Sequence, residues 1–128
     1  MKLNPDCIRD ILLDVEDDTD FHTVCDYNVN KPRPSRMHKY RHEELLYHVR
    51  QCELSELIMG VHFYDGGVHF TIQDLSPNGH KFLNNVRKDN IWNNTKTIAE
   101  KIGSKSLDVL VQVSSNVITE LIRAQFGF

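Results

Sequence analysis

An α+β fold is predicted from two observations. Apolar residues recur at helical spacing near both ends of the chain, and between them they alternate about an Asp65-Gly66 pair. At 128 residues the chain is one domain with room for an appendage. The first helix opens with Asn4 as cap, Pro5 at the first helical position and Asp6 in the first turn. Ile8, Ile11, Leu12 and Val15 form its apolar face. It ends in Glu16-Asp17-Asp18, whose carboxylates oppose the negative end of the helix dipole. Phe21, Val24, Cys25 and Tyr27 mark a short strand over 21–27. A second helix covers His42 to Leu54, with Leu45, Leu46, Val49 and Cys52 on one stripe and Glu43, Glu44, Arg50, Gln51 and Glu53 outside it.

A hairpin follows over residues 58–75. Val61 and Phe63 alternate on its first strand, and Val68, Phe70 and Ile72 on its second. With Asp65-Gly66 as a two-residue type I′ turn, His62 falls directly opposite His69. Ser76-Pro77 opens a third helix with Phe82, Leu83 and Val86 inside. Asp89 or Asn90 caps a fourth that carries Ile91, Trp92, Ile98, Ala99 and Ile102, and Gly103 ends it. The last helix, about 105–125, presents Leu107, Leu110, Val111, Ser114, Val117, Ile118, Leu121, Ile122 and Phe126 as a long continuous face. A helix followed at once by a two-stranded hairpin is the winged-helix order, so residues 1–88 are expected to form a winged helix-turn-helix-like domain with additional C-terminal helices over 89–128.

Charge is unevenly spread. The formal net charge is -3, which excludes a polybasic nucleic-acid binder as a description of the whole chain. Residues 1–27 hold two basic and eight acidic side chains. Lys31, Arg33, Arg36, Lys39 and Arg41 then follow in a stretch without acidic residues that also contains Pro32 and Pro34. Residues 28–41 read as an exposed basic loop, because proline removes a donor and restricts its neighbour. This loop is either a solvated linker or an arm that contacts phosphates. Cys7, Cys25 and Cys52 are odd in number and widely spaced, which fits neither a disulfide scaffold nor a cysteine zinc knuckle. The opening residues hold no apolar signal core, and the most apolar stretch, 107–126, is interrupted by Asp108, Glu120 and Arg123. A cytoplasmic chain without membrane association is expected.

Candidate sites follow from these placements. The DNA contacts would be Lys31, Arg33, Arg36, Lys39 and Arg41 in the loop, His42, His48 and Arg50 on the second helix, and the wing tip. Opposed His62 and His69 could share a zinc ion, but two ligands do not make a structural site, so no metal and no cofactor are expected. His48 and Cys52, one helical turn apart, resemble a nucleophile pair, but Cys52 occupies a core position of the stripe. No nucleophile elbow, phosphate-binding glycine loop or paired-carboxylate motif is present, and a non-enzymatic protein is expected. The face of Leu110, Val117, Leu121 and Phe126 is wider than a small domain needs and predicts a homodimer.

The passage Tyr47-His48-Val49-Arg50-Gln51-Cys52, then Leu57-Ile58-Met59-Gly60-Val61-His62-Phe63, resembles the helix-to-wing segment of YjcQ-like winged-helix proteins. Asp74-Leu75-Ser76-Pro77-Asn78-Gly79-His80-Lys81-Phe82-Leu83 and Trp92-Asn93-Asn94-Thr95-Lys96-Thr97-Ile98 resemble later parts of the same chains. The likeness covers roughly Leu45 to Ile102, and the whole chain is similar to a phage- and prophage-associated family of unknown function. This resemblance implies a winged-helix fold and carries over no catalytic residue. Two departures stand out. Glu56 occupies the place where many winged helices have glycine, and the would-be recognition helix begins with Glu43 and Glu44. The expected function is a small winged-helix regulator binding double-stranded DNA. The alternative is a protein-protein interaction module on the same fold, favoured by the acidic first helix and the Glu43/Glu44 pair.

Overall fold

The computed structural model describes residues 1–104 and 106–127. It is an α+β fold of five α-helices and a three-stranded antiparallel sheet, in two compact units, Met1–His80 and Lys81–Phe128. The division falls inside the third helix, ahead of the boundary after residue 88 expected from sequence.

The first unit begins with α1, Pro5–Asp18. The Asn4 side chain accepts from the Asp6 and Cys7 amides, which supplies partners for donors that a helix start leaves free. Cys7, Ile8, Ile11, Leu12 and Val15 are buried. Strand β1, Cys25–Asn28, starts later than the expected strand. Asp20 accepts from the amides of His22 and Thr23, and this local turn holds the preceding residues out of the sheet and leaves Phe21 97% exposed. Helix α2, His42–Leu54, has the expected bounds and buries Leu45, His48, Val49 and Cys52.

Strands β2, Ile58–Tyr64, and β3, His69–Leu75, form the hairpin, and the sheet order is β1-β3-β2. Its inner face carries Cys25, Tyr27, Phe70 and Ile72, all fully buried, with the Tyr27 and Phe70 rings stacked 4.4 Å apart. The register differs from the two-residue turn expected at Asp65-Gly66. Asp65, Gly66 and Gly67 all have positive φ, and Val68 then adopts a right-handed helical conformation, so the connection is longer. Tyr64 therefore pairs with His69 and His62 with Thr71, and the opposed histidine pair does not exist. Gly67 is needed for its φ of 98°, and it lies close under Leu46, whose Cδ1 would be 2.8 Å from a Cβ there.

Helix α2 ends in a two-bond cap, with the Leu57 amide donating to Cys52 O and the Glu56 amide to Glu53 O. Glu56 carries the left-handed residue of this cap at φ 59, where glycine is the unstrained choice. Glu56→Gly is expected to raise stability by about 1 kcal/mol, because the relieved strain outweighs glycine's extra chain entropy. Chemical denaturation would check it. An unchanged or lower midpoint would show that the Glu56 side chain stabilises the cap by an interaction that offsets the strain.

Helix α3, Pro77–Val86, crosses from the first unit into the second. Ser76 Oγ accepts from the Gly79 amide at its start. In the second unit Phe82, Leu83 and Val86 are buried as expected, and Phe82 meets Trp92 edge-on. Helix α4, Asp89–Ile102, has Lys88 as its cap residue rather than Asp89 or Asn90, and Gly103 at φ 80 closes it. Helix α5, Leu107–Phe126, is capped by the Ser106 hydroxyl and packs against α4. Among the described residues no helix is long and apolar enough to cross a membrane.

Candidate interaction surface

Asp10, Asp14 and Asp17 lie at i, i+4 and i+7 of α1, so the helix turns all three carboxylates to one side. The basic loop folds onto that side. Asp14 is 1% exposed and accepts from the Arg36 and Met37 amides at 2.9 and 3.0 Å, from Arg36 Nη1 at 2.9 Å and from Ser35 Oγ at 3.3 Å. Arg36 Nη1 also donates to Asp17 at 2.7 Å. Hydrogen bonds to Asp17 and Asp14 hold the guanidinium above its ordinary pKa. Lys39 Nζ reaches Asp10 at 3.3 Å, and the Tyr40 hydroxyl donates to the same carboxylate. Burial, then the Asp10 contact, pushes the Tyr40 hydroxyl up. A short 3-10 helix, Met37–Lys39, forms between these anchors and buries Met37.

The loop is thus an ordered strap over α1 rather than an exposed linker or arm. Arg33 donates to the Tyr40 carbonyl, and its guanidinium carbon lies 5.5 Å from the Tyr27 ring centroid. Lys31 is exposed beside a shallow cavity of about 230 Å³ lined also by Asp26, Asn28, Pro32 and His69. His69 Nε2 contacts Asp26 at 2.6 Å, and no group of three metal-binding side chains occurs among the described residues.

Arg41, which caps α2, and Arg50 within it are exposed, and Arg50 lies 5.9 Å from the Phe63 ring centroid. His42 stacks on Tyr27, and its Nδ1 shares a 2.8 Å hydrogen bond with the Tyr27 hydroxyl. His48 corrects an expectation, because it is fully buried and cannot meet DNA. Its Nδ1–H donates to Glu44 O and its Nε2 accepts from the Asn4 amide, both at 2.7 Å. These two bonds set the tautomer and pin the start of α1 to α2. They also leave neither ring nitrogen to activate Cys52, whose thiol burial pushes up. Cys7 and Cys25 are buried free thiols raised by the same cause.

What α2 does turn outward is the stripe Glu43, Tyr47, Arg50 and Leu54, with Leu54 69% exposed. The sheet's outer face adds Tyr64, stacked on His69, and half-exposed Met59. Met1–His80 carries eight Lys/Arg against fourteen Asp/Glu. The expected dimer face also needs correction, since Leu110 and Val117 are 1% and 7% exposed and belong to the protomer's own core. Leu121 and Phe126 remain exposed. The spacing of Asp10, Asp14 and Asp17 was the sequence signal for the strap.

A model of the family described as hypothetical protein (DUF2513) matches residues 2–106, from the residues ahead of α1 to the cap of α5. The chain belongs to the DUF2513 family. An uncharacterized protein of Haemophilus influenzae (strain ATCC 51907 / DSM 11121 / KW20 / Rd) is 27% identical over 124 residues, covering 95% of this chain and 99% of that protein. No solved structure matches the chain. For this DUF2513 chain, the YjcQ-like likeness of the helix-to-wing passage stands as a resemblance only.

Proposed function

We propose that this DUF2513 protein is a non-enzymatic interaction module on a winged-helix scaffold, and that it binds a protein with a basic surface rather than DNA. The sheet order β1-β3-β2, with α2 ahead of the hairpin, supports the winged-helix reading together with the YjcQ-like resemblance. The observation that carries the choice of partner is the strap. Arg36 and Lys39, two of the five loop cations, are matched by α1 carboxylates, and His48 is inside the core. Phosphate binding would have to break the Arg36–Asp14 contact and leave a buried carboxylate uncompensated. The outward α2 stripe mixes one acid, one base, an aromatic ring and a leucine, which suits a protein surface better than a phosphate backbone. Free thiols buried at Cys7, Cys25 and Cys52 fit a cytoplasmic setting.

Fluorescence anisotropy with mixed-sequence duplex DNA at about 50 mM salt is the test, since phosphate-driven binding is strong there. No binding up to about 50 μM protein is the expected result. Binding whose slope of log K against log salt falls by about 2.7 on replacing Arg33, Arg41 and Arg50 would overturn the reading in favour of DNA, at roughly 0.9 per lost phosphate contact. On the positive side, a protein partner captured from bacterial extract should be lost with Leu54→Glu while the fold, followed by circular dichroism, is kept.

A further inference from the structure

We propose that α5 is the seam of a parallel two-fold homodimer, in which each chain sets the ridge Ile118, Ile122 and Phe126 into the groove between α4 and α5 of a second copy. The groove encloses about 310 Å³ and is lined by Ile98, Ile102, Val113, Val117 and Leu121, with Asn94, Asn116 and Glu120 at its rim. Val113, Val117 and Leu121 are spaced i, i+4 and i+8, so they share one side of α5. Ile118, Ile122 and Phe126 repeat the same spacing about 100° further round the helix.

Three of these residues are open to water, Leu121 at 48%, Ile122 at 44% and Phe126 at 67%, and Ile102 across the groove is 61% exposed. A helix end that is apolar on two adjacent sides calls for cover on both. One groove and one ridge side by side on the same helix are self-complementary. A two-fold axis parallel to α5 lays each ridge in the other copy's groove, so both apolar sides are covered by one kind of contact. An antiparallel pair would instead set groove against groove.

Charge supports a second copy as the occupant. The described lining holds no basic side chain for an acidic ligand, and its charged rim residue, Glu120, is already paired with Arg123 on its own helix at 3.2 Å. Area supports it too, and limits its strength. Four side chains at these exposures expose several hundred Å², about half of the ~800 Å² that each partner gives a standard interface. The dimer is therefore expected to be weak and concentration-dependent.

Sedimentation velocity on the full chain from about 10 to about 500 μM tests the proposal. The expected mass rises from 14.9 kDa towards twice that value. Ile122→Glu with Phe126→Glu, both at exposed sites, should weaken association more than about tenfold at unchanged helical circular dichroism. Gln125 lies on the same strip between the two stripes, so Gln125→Cys should form a disulfide-linked dimer on mild oxidation if the helices are parallel. A chain that stays monomeric at about 500 μM overturns the proposal. So does an association insensitive to the double variant, or a dimer whose Gln125→Cys form does not cross-link.

Discussion

Gly79→Ala is expected to destabilise the protein by about 3 kcal/mol or more, although alanine in a helix is ordinarily favoured over glycine by about 1 kcal/mol. A Cβ at this position would lie 1.9 Å from the Leu57 carbonyl oxygen and 2.9 Å from the Leu57 carbonyl carbon. Both atoms are backbone, so no rotamer change relieves the overlap. The same Leu57 carbonyl accepts from the Ser76 amide at 3.0 Å, and Ser76 Oγ caps α3 through Gly79 N at 2.9 Å. Moving α3 away would therefore break its own start as well as the contact to Leu57. Urea denaturation measures the effect, and a stability equal to or above wild type would show that α3 can shift freely from Leu57.

Asp14→Ala carries the other large effect, a loss of about 3 kcal/mol or more. Asp14 is almost wholly buried and accepts four hydrogen bonds, two of them from backbone amides. Its removal leaves the Arg36 and Met37 amides without an acceptor and Arg36 without its buried partner. The short helix at Met37–Lys39 and the buried Met37 side chain depend on those amides, so protease cutting within 30–41 should accelerate in parallel. Asp17→Ala, at a site where the carboxylate is 54% exposed, should cost less than about 1 kcal/mol. A loss at Asp14 no larger than at Asp17 would contradict the burial argument.

Local chemistry made much of the fold legible. The Asn4-Pro5 start and the apolar stripes placed α1 and α2 within the observed bounds because capping and helical periodicity act over a few residues. Glu56 could be singled out for the same reason, since the position after a helix end has its own backbone demand. The hairpin register was not legible. Asp-Gly signals a two-residue turn, but Gly67 also takes positive φ where it packs under Leu46, which moves the pairing by two residues and separates His62 from His69.

The candidate site depended on long-range pairing. The proline-rich loop had no helical pattern of its own, and the 3-10 turn within it exists because Asp14, over twenty residues earlier, accepts its first amides. The carboxylate spacing on α1 and the cations of 31–41 were both visible, but their mutual neutralisation required knowing that the loop returns to that face. His48 sits one turn above Cys52 on the apolar side of α2, and its polarity hid a core position whose two ring nitrogens are satisfied by backbone groups.

The claim that Arg36 of the loop is committed to α1 is tested most directly by a double-mutant cycle between Asp14 and Arg36. Stabilities of the wild type, Asp14→Ala, Arg36→Ala and the double variant are measured by denaturation under the same conditions. A coupling energy of about 1–3 kcal/mol is the predicted result, as for contacting residues in one buried hydrogen-bonded network. Additivity within about 0.5 kcal/mol would contradict it, and would leave Arg36 free to serve the phosphate-binding role from which the strap excludes it.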